Sequence, residues 1–173
     1  MKRALFVMFA GAFCLVHGVS ARADDKAEIT ALFQKLSAAT KAKSADAYLA
    51  LVTPDYKEIR INGDEIQGKQ AEQAIRARFA QMKSVSVAKV VPGEMRITAS
   101  TAFMWSEFSI SAEIVDKDGL YGTKGQKHLF ADTGKTRYWL IKTPKGWRFQ
   151  KSEVLKENPT VDGQSTHRMG PKR

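Results

Sequence analysis

Between Lys135 and Leu155 apolar and polar residues alternate with period two on either side of Thr143-Pro144-Lys145-Gly146. Tyr138 and Leu140 fall on one face, with Arg137, Trp139 and Ile141 opposite. After the turn Trp147 and Phe149 share a face, with Arg148, Gln150 and Ser152 on the other. This alternation, rich in aromatics, predicts an antiparallel hairpin. Proline presets φ inside the turn, and glycine closes it in the left-handed region.

Upstream the period changes. Ile29, Leu32, Phe33 and Leu36 recur at helical spacing after Asp25, an N-cap acid with Glu28 three residues on; this predicts a helix to about Lys41. Ser44 caps a second, shorter helix carrying Tyr48, Leu51 and Val52, which Pro54 ends. Asp55–Ile61 alternates as a strand, with Tyr56, Glu58 and Arg60 on one face, and Asn62-Gly63-Asp64 turns the chain. After Gly68, the residues Ala71, Ala74, Ile75, Phe79 and Met82 form the stripe of a third helix. The rest reads as strand. Ser84–Val91 and Glu94–Ala99 flank Pro92-Gly93, and Thr101–Val115 is a long strand. Its Met104, Phe108, Ile110 and Ile114 line one face, and Phe103, Trp105, Glu107, Ser109, Ser111 and Glu113 the other. A glycine-rich loop over 116–125 leads to a strand near Lys127. Three helices followed by four long strands predict an α+β fold, the helices packed on one face of a strongly curved antiparallel sheet.

The first 23 residues break this scheme. Lys2 and Arg3 precede an apolar run over Ala4–Val16, and Ala21-Arg22-Ala23 supplies small residues where a signal peptidase reads. Residues 1–23 are expected to be a signal peptide cleaved after Ala23, 24–157 a single domain, and 158–173, without periodicity, a disordered tail. The run is shorter than the roughly 20 residues a bilayer span needs, so no membrane anchor is expected after cleavage, and the location is periplasmic or secreted. Cys14 leaves with the signal, so the mature chain has no thiolate for catalysis, disulfides or metal.

Removing residues 1–23 takes away three of the 28 basic residues and none of the 18 acidic ones, leaving a net charge of +7. The charges are scattered and mixed in sign, with no basic stretch interleaved with aromatics, so no nucleic-acid partner is expected.

Ala47-Tyr48-Leu49-Ala50-Leu51-Val52-Thr53-Pro54-Asp55-Tyr56, then Gly63 and Gly68 before the third helix, and the closing Trp139-Leu140-Ile141-Lys142…Gly146-Trp147-Arg148-Phe149 resemble the nuclear transport factor 2-like superfamily. The resemblance spans about the whole mature domain. It implies a sheet curled around the first helix, with a pocket between the helices and the concave face. That superfamily includes ketosteroid isomerases, scytalone dehydratases and polyketide cyclases beside non-catalytic binding and dimerising modules, so the fold alone assigns no activity. The isomerases place a tyrosine donor on the first helix and an aspartate base on the strand after Pro54. Aligned on Ala50-Leu51 and Asp55, these positions hold Leu36 and Arg60, neither of which can do that chemistry. The paired histidines of the dehydratases are also missing, since the mature chain has only His128 and His167.

The first reading is therefore a non-catalytic module that binds a small apolar ligand or forms a homodimer, with no cofactor. Tyr56, Arg60, Phe79, Trp105, Phe108, Phe130 and Tyr138 are the candidate ligand-binding residues. The alternative is an isomerase-, cyclase- or dehydratase-like enzyme using Glu58 or Glu107 as base and Tyr56 as donor. The structural accounts are a Glu58–Arg60 ion pair and a Glu107 that pairs with a basic residue on a solvent-facing sheet surface. His128 and Asp132 lie about 13 Å apart if both are on one strand, too far to share a metal, so no metal site is expected. Asp132-Thr133-Gly134 matches an aspartic-protease tripeptide, but that chemistry needs two copies and the chain has one.

Overall fold

The computed structural model describes the backbone of residues 17–166 and the side chains of 23–166. The basic start and the whole apolar run expected of an export signal lie outside the described residues, as does His167. The order is α1 (His17–Lys41), α2 (Ala45–Leu49), β1 (Val52–Ile59), β2 (Glu65–Gln67) and α3 (Gly68–Gln81). Then come β3 (Met82–Ile97), β4 (Thr101–Val115), β5 (Lys127–Thr143), β6 (Gly146–Glu157), β7 (Thr160–Val161) and β8 (Gln164–Ser165).

The sheet runs β2-β1-β6-β5-β4-β3, with β7 added beside β5 and β8 beside β7. All pairings are antiparallel except β1 with β6, which run parallel. The parallel pair departs from the wholly antiparallel expectation. It follows from helix α3 and three long strands intervening between the two partners. Register shifts between Pro92 and Met95, and between Trp139 and Leu140, put bulges into β3 and β5–β6. Each bulge bends its strand, so the open sheet curves around α1. The Pro92-Gly93 interruption is one such bulge within a continuous β3.

The stripe on α1 behaves as its spacing dictates: Ile29, Leu32, Phe33 and Leu36 are all buried. Phe33 meets Tyr138 and Phe149 edge-on, with centroids 5.3 and 5.1 Å away. Asp25 does not cap this helix, which begins at His17. It is buried instead, and its Oδ1 accepts hydrogen bonds from Lys142 Nζ (2.6 Å) and Trp147 Nε1 (3.0 Å) on the β5–β6 hairpin. Ser44 does cap α2, accepting from the Ala47 amide at 3.2 Å. Gly146 closes the hairpin turn at φ +90°.

Three further expectations are corrected. The second helix ends at Leu49, and Val52 and Pro54, expected on it and at its end, already belong to β1. Ser152 was placed opposite Trp147 and Phe149, but it faces inward with them and pairs with Tyr138. The bulge inserts one residue, Gln150, and an extra residue inverts the alternation beyond it. The stretch after residue 157 is not a disordered tail as far as Thr166. Val161 is 1% exposed and β7 pairs with Phe130 and Ala131 of β5. Asp162, at φ +52°, and Gly163, at φ +78°, make a tight turn. From it Asp162 Oδ2 meets His128 Nδ1 at 2.7 Å, and Oδ1 accepts from the Leu129 amide at 2.8 Å. One buried valine and these side-chain bonds order a segment whose composition reads as tail.

Candidate functional site

A cavity of about 530 Å³ lies between the helices and the concave face of the sheet. Ligand pockets commonly fall in the range of about 300–1,000 Å³. Its apolar wall is formed by Leu36 of α1, Val90 of β3, Phe108 and Ile110 of β4, Phe130 of β5 and Val154 of β6. Tyr48, Glu58, Arg78, Thr136, Tyr138 and Ser152 supply the polar surface.

The polar surface is organised by one ion pair. Glu58 stands on β1 two residues after Tyr56, so alternation turns both inward; its side chain is 7% exposed. Arg78 reaches it from α3, Nη2 donating to Glu58 Oε1 at 2.7 Å, while Arg60 Nε is 3.9 Å from the same oxygen. The expected Glu58–Arg60 pair is thus present but secondary. Arg60 follows the end of β1 and also lines the cavity, but its Nε stays 3.9 Å from the carboxylate, whereas α3 brings Arg78 within hydrogen-bonding distance. Both contacts fall on Oε1, and Oε2 takes no hydrogen bond among the described residues. Burial works to lower the Arg78 pKa, but the Glu58 charge and hydrogen bond outweigh it and hold the guanidinium protonated.

Around the pair sit three phenols. Burial raises the pKa of Tyr48, Tyr56 and Tyr138, that of Tyr56 well above its ordinary value. All three therefore stay neutral near pH 7 and act as hydrogen-bonding groups rather than bases. The hydroxyl of Tyr56 lies 2.6 Å from Ser152 Oγ. Asp132, buried on β5, accepts from the Asn158 amide at 3.0 Å, and Lys89 and Glu157 also belong to the lining. The charged lining residues are Glu58, Asp132 and Glu157 against Arg60, Arg78 and Lys89, which balance.

Of the residues singled out from the sequence, Glu58, Arg60, Phe108, Phe130 and Tyr138 come together on the cavity wall. Four do not. Glu107 and Trp105 lie on the outer sheet face, which β4's alternation turns away from the helices. Glu107 pairs with Lys135 at 3.3 Å, and Lys135 Nζ covers the Trp105 ring at 4.8 Å. The bland account of Glu107 is the observed one. Phe79 is core, packed on Tyr48 with centroids 5.7 Å apart, and Tyr56 is buried beneath the cavity lining. Sequence reasoning missed Arg78, Tyr48, Thr136 and Ser152. For Arg78 a signal existed: Ala71, Ala74, Ile75 and Arg78 stand at i, i+3, i+4 and i+7, so an arginine occupies a stripe position on α3. Ser152 carried no such signal, because the bulge that turns it inward leaves no mark in the pattern. Among the described residues no group of His, Cys, Asp and Glu is arranged to hold a metal ion.

No family model matches the sequence, and no curated protein matches it. Solved structures do match the fold. A protein from Kribbella flavida superposes with a TM-score of 0.64 at 16% identity, over 86% of this chain and 97% of its own. A nuclear transport factor 2-like superfamily protein from Salmonella enterica gives 0.61 at 17% identity, over 77% of this chain and 91% of its own. A candidate scytalone dehydratase from Novosphingobium aromaticivorans gives 0.62 at 9% identity, over 80% and 89%.

Proposed function

The chain has the nuclear transport factor 2-like fold, and we propose that it binds a small, largely apolar, uncharged molecule in its central cavity without transforming it. The observation that carries this reading is the Glu58–Arg78 ion pair on the cavity wall. A carboxylate neutralised by a guanidinium at 2.7 Å does not need a charged ligand. It offers a polar head group one acceptor, Glu58 Oε2, beside the remaining donors of Arg78 and the phenols. The balanced lining extends the argument: a net charge on the ligand would be desolvated without a compensating charge from the wall. The apolar wall supplies the affinity, at about 25 cal/mol per Å² buried.

Calorimetric titration with 1-naphthol and 1-naphthoate tests this. Naphthol should bind at least tenfold more tightly than naphthoate, and Glu58→Gln should weaken naphthol. Trp105→Ala, on the outer face, should leave it unchanged. Preference for the carboxylate, or indifference to Glu58, would refute the reading.

One observation favours a second reading. Because Oε2 of Glu58 is not engaged, it stands where a general base would stand, with neutral phenols as donors. Turnover of a bound molecule, lost in Glu58→Gln while binding persists, would establish it.

For the N-terminus we infer export directed by residues 1–23. Cleavage after Ala23 would leave Asp24 and Asp25 at the start of α1, where acidic residues favour the helix dipole. The N-terminal sequence of secreted protein decides this.

A further inference from the structure

A second, smaller cavity of about 130 Å³ lies on the far side of two residues that also line the first: Arg78 and Phe130 belong to both walls. Met82, Ile114, Val115 and Tyr121 give it an apolar inner wall, while Gln81, Lys117, Asp118 and the exposed Leu120 form its solvent side. The Asp116 carboxylate at its edge accepts hydrogen bonds from the Leu120 and Tyr121 amides, at 2.9 and 2.8 Å, so its charge is already occupied. The two shared residues are held very differently. Arg78 is pinned by Glu58 at 2.7 Å. Phe130 is half-buried and makes no ring-to-ring contact among the described residues.

We propose that the Phe130 side chain is the gate that sets ligand length, closing the main cavity off from an apolar side pocket beyond Arg78. The inference rests on the reading that the main cavity takes a ligand, and it adds the residue that decides which ligands fit. The side pocket has room for about four water-sized groups at ~30 Å³ each. An apolar chain that outgrows the main cavity therefore meets the Phe130 ring rather than this space. A shorter residue at 130 joins the two volumes while leaving the Glu58–Arg78 pair in place. Phe130 thus acts as a specificity residue through shape.

At ~30 Å³ per group the main cavity fills at about 18 heavy atoms. The experiment is therefore a titration with n-alkanols from dodecanol to tetracosanol, delivered from cyclodextrin, against the wild type, Phe130→Leu and Phe130→Ala, with thermal melts to verify folding. In the wild type, affinity should rise about fourfold per added methylene and then stop rising where the main cavity is full. In Phe130→Ala the rise should continue for about four further carbons, and in Phe130→Leu for fewer. The leucine variant keeps a large apolar side chain against Val161 and carries the test if the alanine variant does not fold. The same break point in every folded variant would overturn the gate and leave the binding reading standing. No binding of any alkanol to any of the proteins would overturn both.

Discussion

Arg78 Nη2 donates to Glu58 Oε1 at 2.7 Å, tying the last turn of α3 to the inward face of β1 across the cavity floor. Removing one partner strands the other. Arg78→Leu should destabilise the protein by about 2–3 kcal/mol in urea unfolding. This lies below the cost for a fully buried pair, because 45% of the Arg78 side chain stays open through the cavity. The double variant Glu58→Leu/Arg78→Leu should recover most of that loss, since no uncompensated charge remains. A double variant weaker than either single variant would contradict this account.

The Asp25 clamp predicts a pH dependence with a definite sign. Hydrogen bonds from Lys142 and Trp147 hold the Asp25 carboxyl below its ordinary value. A group with a depressed folded pKa contributes stability that is complete above its unfolded pKa of about 3.9 and is lost as pH falls through the folded value. Lys142, raised by the same contact, contributes below its unfolded pKa and loses the contribution as pH rises through the folded one. The melting temperature of Asp25→Asn should therefore lie below that of the wild type near pH 7, and the two should converge under strong acid. A gap that stays constant with pH would show that the ionised form of Asp25 is not what matters.

Gly134 should tolerate no side chain. A Cβ there would overlap the Lys156 carbonyl and come 2.7 Å from a Phe108 ring carbon. Gly134→Ala should cost about 3 kcal/mol, as overpacking does, and should shift Phe108 into the cavity and lower ligand affinity as well. A variant of native stability would contradict the close approach.

The ordered C-terminal hairpin predicts that truncation after Glu157 is costly. Val161 is lost from the core, and His128 loses Asp162. About 2 kcal/mol should go with the valine alone. Unchanged denaturation of the truncated chain would restore the view of residues 158–166 as a dispensable tail.

Much of this architecture was legible from periodicity, and the exceptions have physical causes. The stripe Ile29, Leu32, Phe33, Leu36 and the two faces of Thr101–Val115 lie as their spacing demands, because each borders one large buried surface. The inward course of Glu58 was equally readable from Tyr56. Two kinds of information were not local. Ser152 turns inward through a bulge that only strand pairing reveals, and Val161 is buried only because β5 extends far enough to receive it. The cavity was half visible: its aromatics Phe108, Phe130 and Tyr138 were named, while Arg78 was passed over as a charge on a helix. Trp105 and Glu107 were drawn into the candidate set by chemistry alone, although the polarity of Ser109, Ser111 and Glu113 already marked their face as the outer one.

Native mass spectrometry of the gently purified protein tests the central claim most directly. The account predicts one uncharged, largely apolar small molecule retained on the folded chain, released on unfolding and lost when the Glu58–Arg78 pair is replaced by leucines. Bare protein that also fails to take up naphthol, or a retained molecule indifferent to that double replacement, would contradict it.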